Sequence, residues 1–188
     1  MNKIRNYIET ITEVNDEDWD FFSSKLQKKV FSKKKIITKI GQIENCISFI
    51  EKGIVRVFIP KEEEDITFGF SFQNEFISAY DSFLMQSPSQ YQLETLAETS
   101  LLSISYSDLQ EVYRKTKIGN LIGRLVAERL FILKSNRALS LLNDSAEQRY
   151  LNLFTERPNL IKEIPLKYIA SYIGVTPQSL SRIRKQIT

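Results

Sequence analysis

The segment LKYIASYIGVTPQSLSRIRK, residues 166–185, has the residue pattern of a helix-turn-helix. Gly174 separates two amphipathic stretches, and glycine adopts a positive φ without the steric penalty of a Cβ atom. Thr176 can accept a hydrogen bond from an amide at the next helix start, and Pro177 suits the first helical position, where no N–H is needed. The residues expected to pack between the two helices are Ile169, Ala170, Ile173, Val175, Leu180 and Ile183. The segment therefore predicts two short helices joined by a tight turn.

The outward face of the second predicted helix is polar and basic, with no acidic side chain. Its members are Gln178, Ser179, Ser181, Arg182, Lys185 and Gln186. Residues 145–188 hold seven Lys/Arg against three Glu, whereas residues 1–144 hold 19 against 20 acidic residues. A basic face of this kind suits contact with double-stranded DNA. The alternative interpretation is a helical hairpin that only closes a domain.

Composition excludes several other classes of function. The 188 residues, 42% of them hydrophobic, fit one or two domains with ordinary cores. The single cysteine, Cys46, cannot form an internal disulfide, and the absence of histidine removes histidine-based zinc sites, haem ligation and catalysis. Without a nucleophile motif or a glycine-rich phosphate loop, the sequence predicts no enzyme, no cofactor and no metal site. No segment reads as a signal peptide or a membrane span, so we expect a cytoplasmic protein without a membrane partner.

Residues 1–106 predict an antiparallel β-roll behind an opening helical stretch that ends near Gln27. Ile, Val, Phe and Tyr recur in short segments separated by turn residues. The segments are KKIITKI, CISFIEKGIVRVFI, DITFGFSF, FISAYDSFL and QLETLAETSLLSISY. Gly53 marks a hairpin turn, and the acidic run at 61–65 marks the exposed tip of the next hairpin.

Residues 107–142 predict one long dimerisation helix. Apolar residues recur every seven positions and form a coiled-coil seam. The predicted dimer interface contains Ile118, Leu121, Leu125, Ile132 and Leu139, with Leu142 at its end. The second apolar position of the seven-residue repeat is interrupted by Glu128 and Ser135. The alternative is therefore a helix that packs on the β-roll of its own chain. Asn143 to Ser145 then predict a hinge, and residues 143–188 a helix-turn-helix DNA-binding domain.

This order of elements resembles the Crp/Fnr family of bacterial transcription regulators over nearly the whole chain. The most specific stretch is GVTPQSLSRIRK at 174–185, supported by FIEKGIVRVF at 49–58, NEFISAYDSF at 74–83 and LLSISYSDL at 101–109. The resemblance implies an α+β protein: an antiparallel, cyclic-nucleotide-binding-like jelly roll, a long dimerisation helix and a C-terminal winged helix-turn-helix. It also implies a homodimer on a palindromic promoter site.

The same resemblance assigns roles to residues of the second helix. Gln178 and Arg182 fall where the family contacts bases, and Thr176 and Ser179 where it contacts phosphates. Lys185, near the end of the helix, is expected to meet a phosphate as well. In cyclic-AMP receptors an arginine stands at the position of Pro177, so we expect a different target sequence.

The resemblance places the effector pocket at Ser78, Ala79, Tyr80, Ser89 and Gln90. Cyclic-nucleotide binders of the family have a glycine–glutamate pair and an arginine–serine pair there. Ser89 cannot replace the arginine that neutralises the cyclic phosphate, so the expected effector is not cyclic AMP. The effector itself, and any contact with RNA polymerase, are left open. The alternative function is a sensory or partner-binding module without specific DNA recognition.

Overall fold

The computed structural model describes residues 2–187 and consists of two compact units. Unit 1 contains the described residues up to Pro60 together with Gly69–Glu128. Unit 2 contains Lys61–Phe68 together with the described residues from Arg129 onward. Each unit therefore draws on separate stretches of the chain.

The strands form two four-stranded sheets, which confirms the predicted antiparallel roll. They are β1 Gln27–Phe31, β2 Ile36–Thr38, β3 Cys46–Lys52, β4 Val55–Ile59, β5 Ile66–Ser71, β6 Phe76–Ile77, β7 Gln92–Thr95 and β8 Thr99–Ser105. Their orders are β1-β8-β3-β6 in one sheet and β2-β7-β4-β5 in the other. Gly53, between β3 and β4, has the expected positive φ of 109°.

Nine helices lie within the described residues and complete an α+β fold. They are α1 Asn2–Glu9, α2 Asp16–Ser24, α3 Tyr80–Met85, α4 Tyr106–Lys115, α5 Lys117–Asn143, α6 Ala146–Glu156, α7 Pro158–Glu163, α8 Leu166–Ile173 and α9 Pro177–Ile187. None of them is long and apolar enough to cross a membrane.

Two elements differ from the sequence-based expectation. The segment 76–84 was predicted to be β-structure, but only β6 is a strand, because α3 begins at Tyr80. The helix expected over 107–142 is broken at Thr116, whose backbone is extended. The Thr116 hydroxyl donates to the Val112 carbonyl at 2.8 Å and accepts from the Gly119 amide at 3.0 Å. Thr116 thus ends α4 and starts α5.

The helices of unit 1 pack on the outer face of the β1-β8-β3-β6 sheet. Phe49 and Leu102 lie on this face and share a buried cluster with Ile4 and Ile118. Side chains alternate across a strand, so Ser48 and Ser103 point to the opposite face, where their buried hydroxyls lie 2.8 Å apart. The face of this sheet under the helices is thus apolar, and the opposite face carries a buried pair of serine hydroxyls.

Asp18 fixes the start of α5 within this unit. Its Oδ2 accepts hydrogen bonds from the amides of Lys117 at 3.1 Å and Ile118 at 3.3 Å. These amides have no partner inside the helix, so a carboxylate from α2 satisfies them and complements the helix dipole.

Unit 2 is built from helices around a small core. Its most buried side chains include Leu160, Ile169, Ala170 and Leu180. All eight strands found in residues 2–187 lie between Gln27 and Ser105. The β-strands of a wing, which the resemblance implies after the second helix, are therefore not among the elements of this part of the chain.

Candidate nucleic-acid interface

The turn between α8 and α9 has the geometry that the sequence predicts. Gly174 is left-handed, with φ 78° and ψ 35°, and its amide donates to carbonyls in the last turn of α8. The Thr176 hydroxyl accepts from the Ser179 amide at 3.2 Å and caps α9, whose first residue is Pro177. The chain therefore turns within three residues, and the end of α8 and the start of α9 each have a capping hydrogen bond.

Helix α9 has one buried side and one exposed polar side. Leu180 is 1% exposed, and Ile183 is half-buried. The exposed side chains are Gln178, Ser181, Arg182, Arg184, Lys185 and Gln186. Among the remaining predicted DNA contacts, Thr176 is exposed and Ser179 half-buried. Thr176 thus lies immediately before α9, and the other four predicted contact residues lie on this helix, which has no acidic residue in its sequence.

Two arginines bind the carbonyl end of α8. Arg137 Nη2 donates to the Tyr172 carbonyl at 2.6 Å, and its guanidinium lies 3.8 Å from the centre of the Tyr172 ring. Arg149 Nε donates to the Ile173 carbonyl at 2.7 Å, while its Nη1 donates to the Asp144 carbonyl at 2.6 Å. Burial lowers the pKa of Arg137 from its ordinary value. Cations at this end satisfy free carbonyls and complement the helix dipole, so they hold α8 at the turn.

Ser171 joins α8 to residues 61–68, which comprise the loop before β5 and the start of that strand. Its hydroxyl donates to the Asp65 carbonyl at 2.7 Å and accepts from the Thr67 amide at 2.8 Å. The acidic side chains of Glu62 to Glu64 are exposed, as expected for a hairpin tip. Within the described residues, no group of acidic, Cys or His side chains is arranged to hold a metal ion.

The two serine hydroxyls in the predicted effector pocket are already bonded to the backbone. Ser78 Oγ donates to the Cys46 carbonyl at 2.9 Å, and the buried Ser89 Oγ donates to the Tyr91 carbonyl at 2.8 Å. Ala79 is buried at the start of α3, and Gln90 is exposed. Tyr80 lies apart from these contacts and lines an apolar cavity. Both serine hydroxyls are therefore already engaged, and the assignment of the five residues to one effector pocket stays a prediction.

The predicted seam residues on α5 differ in exposure along the helix. Ile118 is buried in unit 1, and Leu121 and Leu125 are half-buried. Ile132 and Leu139 are more than half exposed, at 57% and 53%. The second half of the helix thus presents apolar side chains that the other described residues leave more than half exposed.

Sequence reasoning missed the residues that hold the helix-turn-helix in place. The sequence assigned Arg137, Arg149 and Ser171 no role in holding these helices. Apart from Asp144, which is five positions from Arg149, their partners lie 24 to 106 positions away in the chain, so no local pattern indicates them. The sequence did not indicate the role of Asp18 either. The first turn of α5 contains no acidic residue, so its capping carboxylate comes from another helix.

The sequence and the fold both have known counterparts. Residues 28–116 match the family model described as the cyclic nucleotide-binding domain. No curated protein matches the chain. A protein from Eubacterium rectale assigned to the Crp/Fnr family of transcriptional regulators superposes with a TM-score of 0.72 at 16% identity, covering 96% of this chain and 87% of its own.

Two further solved structures have the same arrangement. A CooA mutant from Carboxydothermus hydrogenoformans gives a TM-score of 0.71 at 16% identity, covering 94% of this chain and 85% of its own. CLP of Xanthomonas campestris, described as a c-di-GMP responsive global regulator, gives 0.69 at 15% identity, covering 92% and 91%. Identities this low are similarities of fold. Residues 28–116 thus match the cyclic nucleotide-binding domain model, and the described chain is similar in fold to solved structures of Crp/Fnr regulators.

Proposed function

We propose that the protein is a DNA-binding transcription regulator, active in the cytoplasm as a homodimer on a palindromic promoter site. The observation that carries this proposal is the exposed face of α9. Gln178 and Arg182 stand one helical turn apart on it, opposite the buried Leu180. A basic, acid-free helix face held at a rigid turn is the arrangement by which a helix-turn-helix enters the major groove.

The groove contacts divide by chemistry. Arg182 has the planar fork that matches the two major-groove acceptors of guanine, and Gln178 can pair with adenine. Lys185, nearer the end of α9, is suited to a phosphate. Thr176 and Ser179 are suited to phosphate as well, because they stand at the helix start, where amides and the dipole favour anions.

The second half of α5 supplies the proposed dimer contact. Ile132 and Leu139 stand seven residues apart, and Leu142, which completes the seam, is 82% exposed. A second copy of this helix is the occupant that fits, because a repeat of seven residues matches itself in a two-stranded coiled coil. Such a dimer would place two copies of α9 about 34 Å apart, in successive major grooves on one side of the duplex.

Regulation by a molecule other than cyclic AMP is part of the proposal. Both serine hydroxyls of the pocket predicted from the resemblance are bonded to the backbone, and residues 78–91 contain no Lys or Arg. This segment therefore offers a cyclic phosphate no cation of its own to compensate for burial of the charge.

Selection of bound sequences from a random DNA pool tests the proposal. We expect a palindrome whose half-sites are centred about one helical turn apart, and a binding constant that falls steeply with salt through counterion release. A protein with Gln178→Ala and Arg182→Ala together is the control and should select no sequence. If the wild-type protein enriches none either, the chain is a partner-binding module instead.

A further inference from the structure

Unit 1 contains a cavity on the helix-covered side of the β1-β8-β3-β6 sheet. Leu102 and Ile104 of β8 form its floor, and Ile122 and Val126 of α5 form one wall. Its volume is about 40 Å³, whereas one water needs only about 10–15 Å³. It is separate from the inside of the roll, because Ser48 and Ser103 face the other way from the same two strands.

Two phenols interrupt an otherwise apolar lining. Tyr80 comes from the start of α3 and Tyr113 from α4, and every other residue that lines the cavity is apolar or glycine. In the described part of the chain, neither phenolic oxygen has a hydrogen-bond partner, in contrast to the Tyr91 hydroxyl, which donates to Asp81. Both tyrosines are half-buried, and among the described residues no fully buried side-chain oxygen lacks a partner. Tyrosine hydroxyls that pack against an apolar surface usually bind a hydrogen-bond partner, so two unbonded ones beside one cavity can donate to a ligand.

Both phenols are neutral donors at physiological pH. Burial raises the pKa of Tyr80, and burial together with the nearby Tyr80 raises the pKa of Tyr113 to about 12. The lining contains no Lys or Arg, so a carboxylate or phosphate would enter without a counter-charge. A ligand must therefore be uncharged.

Gly123 makes room for one of these hydroxyls. A Cβ atom at this position would lie 2.7 Å from Tyr113 Oη, closer than contact distance allows. A glycine inside a helix costs about 0.5–1 kcal/mol relative to alanine. Helix α5 tolerates this cost at the point where Tyr113 reaches the cavity.

We propose that this cavity binds a small, uncharged, mainly apolar molecule with one hydrogen-bond acceptor, such as a ketone, which accepts from Tyr113 or Tyr80. The site goes beyond the proposed function, because it assigns a ligand class and a location outside the roll interior. A molecule held there touches Ile122 and Val126, in the first turns of α5.

Three six-membered-ring probes test the ligand class on the full chain without DNA. Cyclohexanone has the acceptor, cyclohexane lacks it, and cyclohexanecarboxylate carries a charge. We expect saturable NMR shifts of the Ile122 and Val126 methyl groups with cyclohexanone. Cyclohexane should bind about 2- to 10-fold more weakly, the effect of about 0.5–1.5 kcal/mol for one hydrogen bond, and the carboxylate should not bind.

Tyr113→Phe separates a ligand contact from a structural role. It keeps the ring, so the affinity for cyclohexane should be unchanged while that for cyclohexanone falls about 2- to 10-fold. Tyr106→Phe is the matched control, since Tyr106 packs on Phe83 and does not line the cavity. It should change neither affinity.

Several results would overturn the proposal. The first is the absence of saturable NMR shifts with every probe, and the second is equal affinity for the ketone and the hydrocarbon. The third is methyl shifts that depend on protein concentration instead of probe concentration and disappear in Ile132→Glu. The last result would assign the cavity to a second copy of the chain. If Tyr113→Phe does not fold, the relative affinities of the three probes for the wild-type protein still test the proposal. None of these measurements involves DNA, so their failure is distinct from failure of the DNA-binding proposal.

Discussion

Arg149 Nε donates a hydrogen bond of 2.7 Å to the carbonyl of Ile173, the last residue of α8. The same guanidinium also holds the carbonyl of Asp144, one residue beyond the end of α5. One side chain thus joins the end of the long helix to the turn of the helix-turn-helix.

Loss of this side chain should destabilise unit 2. Arg149→Leu leaves two backbone carbonyls without their partner, which costs about 1–3 kcal/mol. Arg124→Leu is the control, because Arg124 makes only an exposed pair with Glu128 and should cost less than about 0.5 kcal/mol. Urea unfolding followed by circular dichroism measures both. Equal changes would mean that the Arg149 contacts do not contribute to stability.

The dimer should depend on the exposed seam of α5. Ile132→Glu and Leu139→Glu together place four carboxylates across the proposed interface, so we expect monomers in sedimentation experiments. Leu133→Glu is the control, since Leu133 is also exposed but points about 100° around the helix from Ile132. A dimer that survives the double substitution would refute the seam.

Arg182 and Lys185 should contribute differently to DNA binding. Arg182→Ala removes a fork that reads a base, so it should cost about 1–3 kcal/mol and relax the preference at one base pair per half-site. Lys185→Ala should weaken all sequences alike and lower the salt slope by about one unit per phosphate contact. Binding of specific and random duplexes at several salt concentrations measures both. If Arg182→Ala weakens both duplexes equally, Arg182 contacts only phosphate.

Cyclic AMP should give no saturable heat in calorimetry, even though residues 28–116 match the cyclic nucleotide-binding domain. Ser89 is buried and bonded to the Tyr91 carbonyl, and it has no charge to offer a phosphate. Ser89→Arg tests the reason, because an added guanidinium should favour anion binding at this place. Tight binding to the wild-type chain would show that the phosphate is held elsewhere.

The turn between α8 and α9 could be predicted because its chemistry is local. Gly174 adopts the positive φ and Thr176 makes the capping hydrogen bond that their residue types favour. The turn at Gly53 and the helix break at Asn143–Ser145 were predictable for the same reason: the Ser145 hydroxyl accepts from the Gln148 amide at the start of α6. Interactions between residues that are close in sequence determine the structure at these positions.

Other features could not be read from a pattern. Phe76 to Leu84 is rich in β-forming residues, yet α3 begins inside it, because pairing with β3 ends after Ile77. The break at Thr116 had a usable signal, since threonine is a good helix start, but the apolar periodicity continues through it. The effector-pocket residues were assigned by position, and only their hydrogen bonds show that the serines are already engaged.

The two hydrogen bonds of Ser171 also have a consequence for the order of folding. Its partners, Asp65 and Thr67, precede it by 106 and 104 residues, so unit 2 includes a turn made long before its helices during synthesis. Contacts between such distant residues require closure of a long loop, which costs conformational entropy before the contacts stabilise the fold. They therefore form late in folding. A fragment that begins at Arg129 would lack this turn, and α8 would present the Ser171 hydroxyl to water instead. The helix-turn-helix of this chain therefore has its full set of hydrogen bonds only when a segment from the first half of the sequence is present.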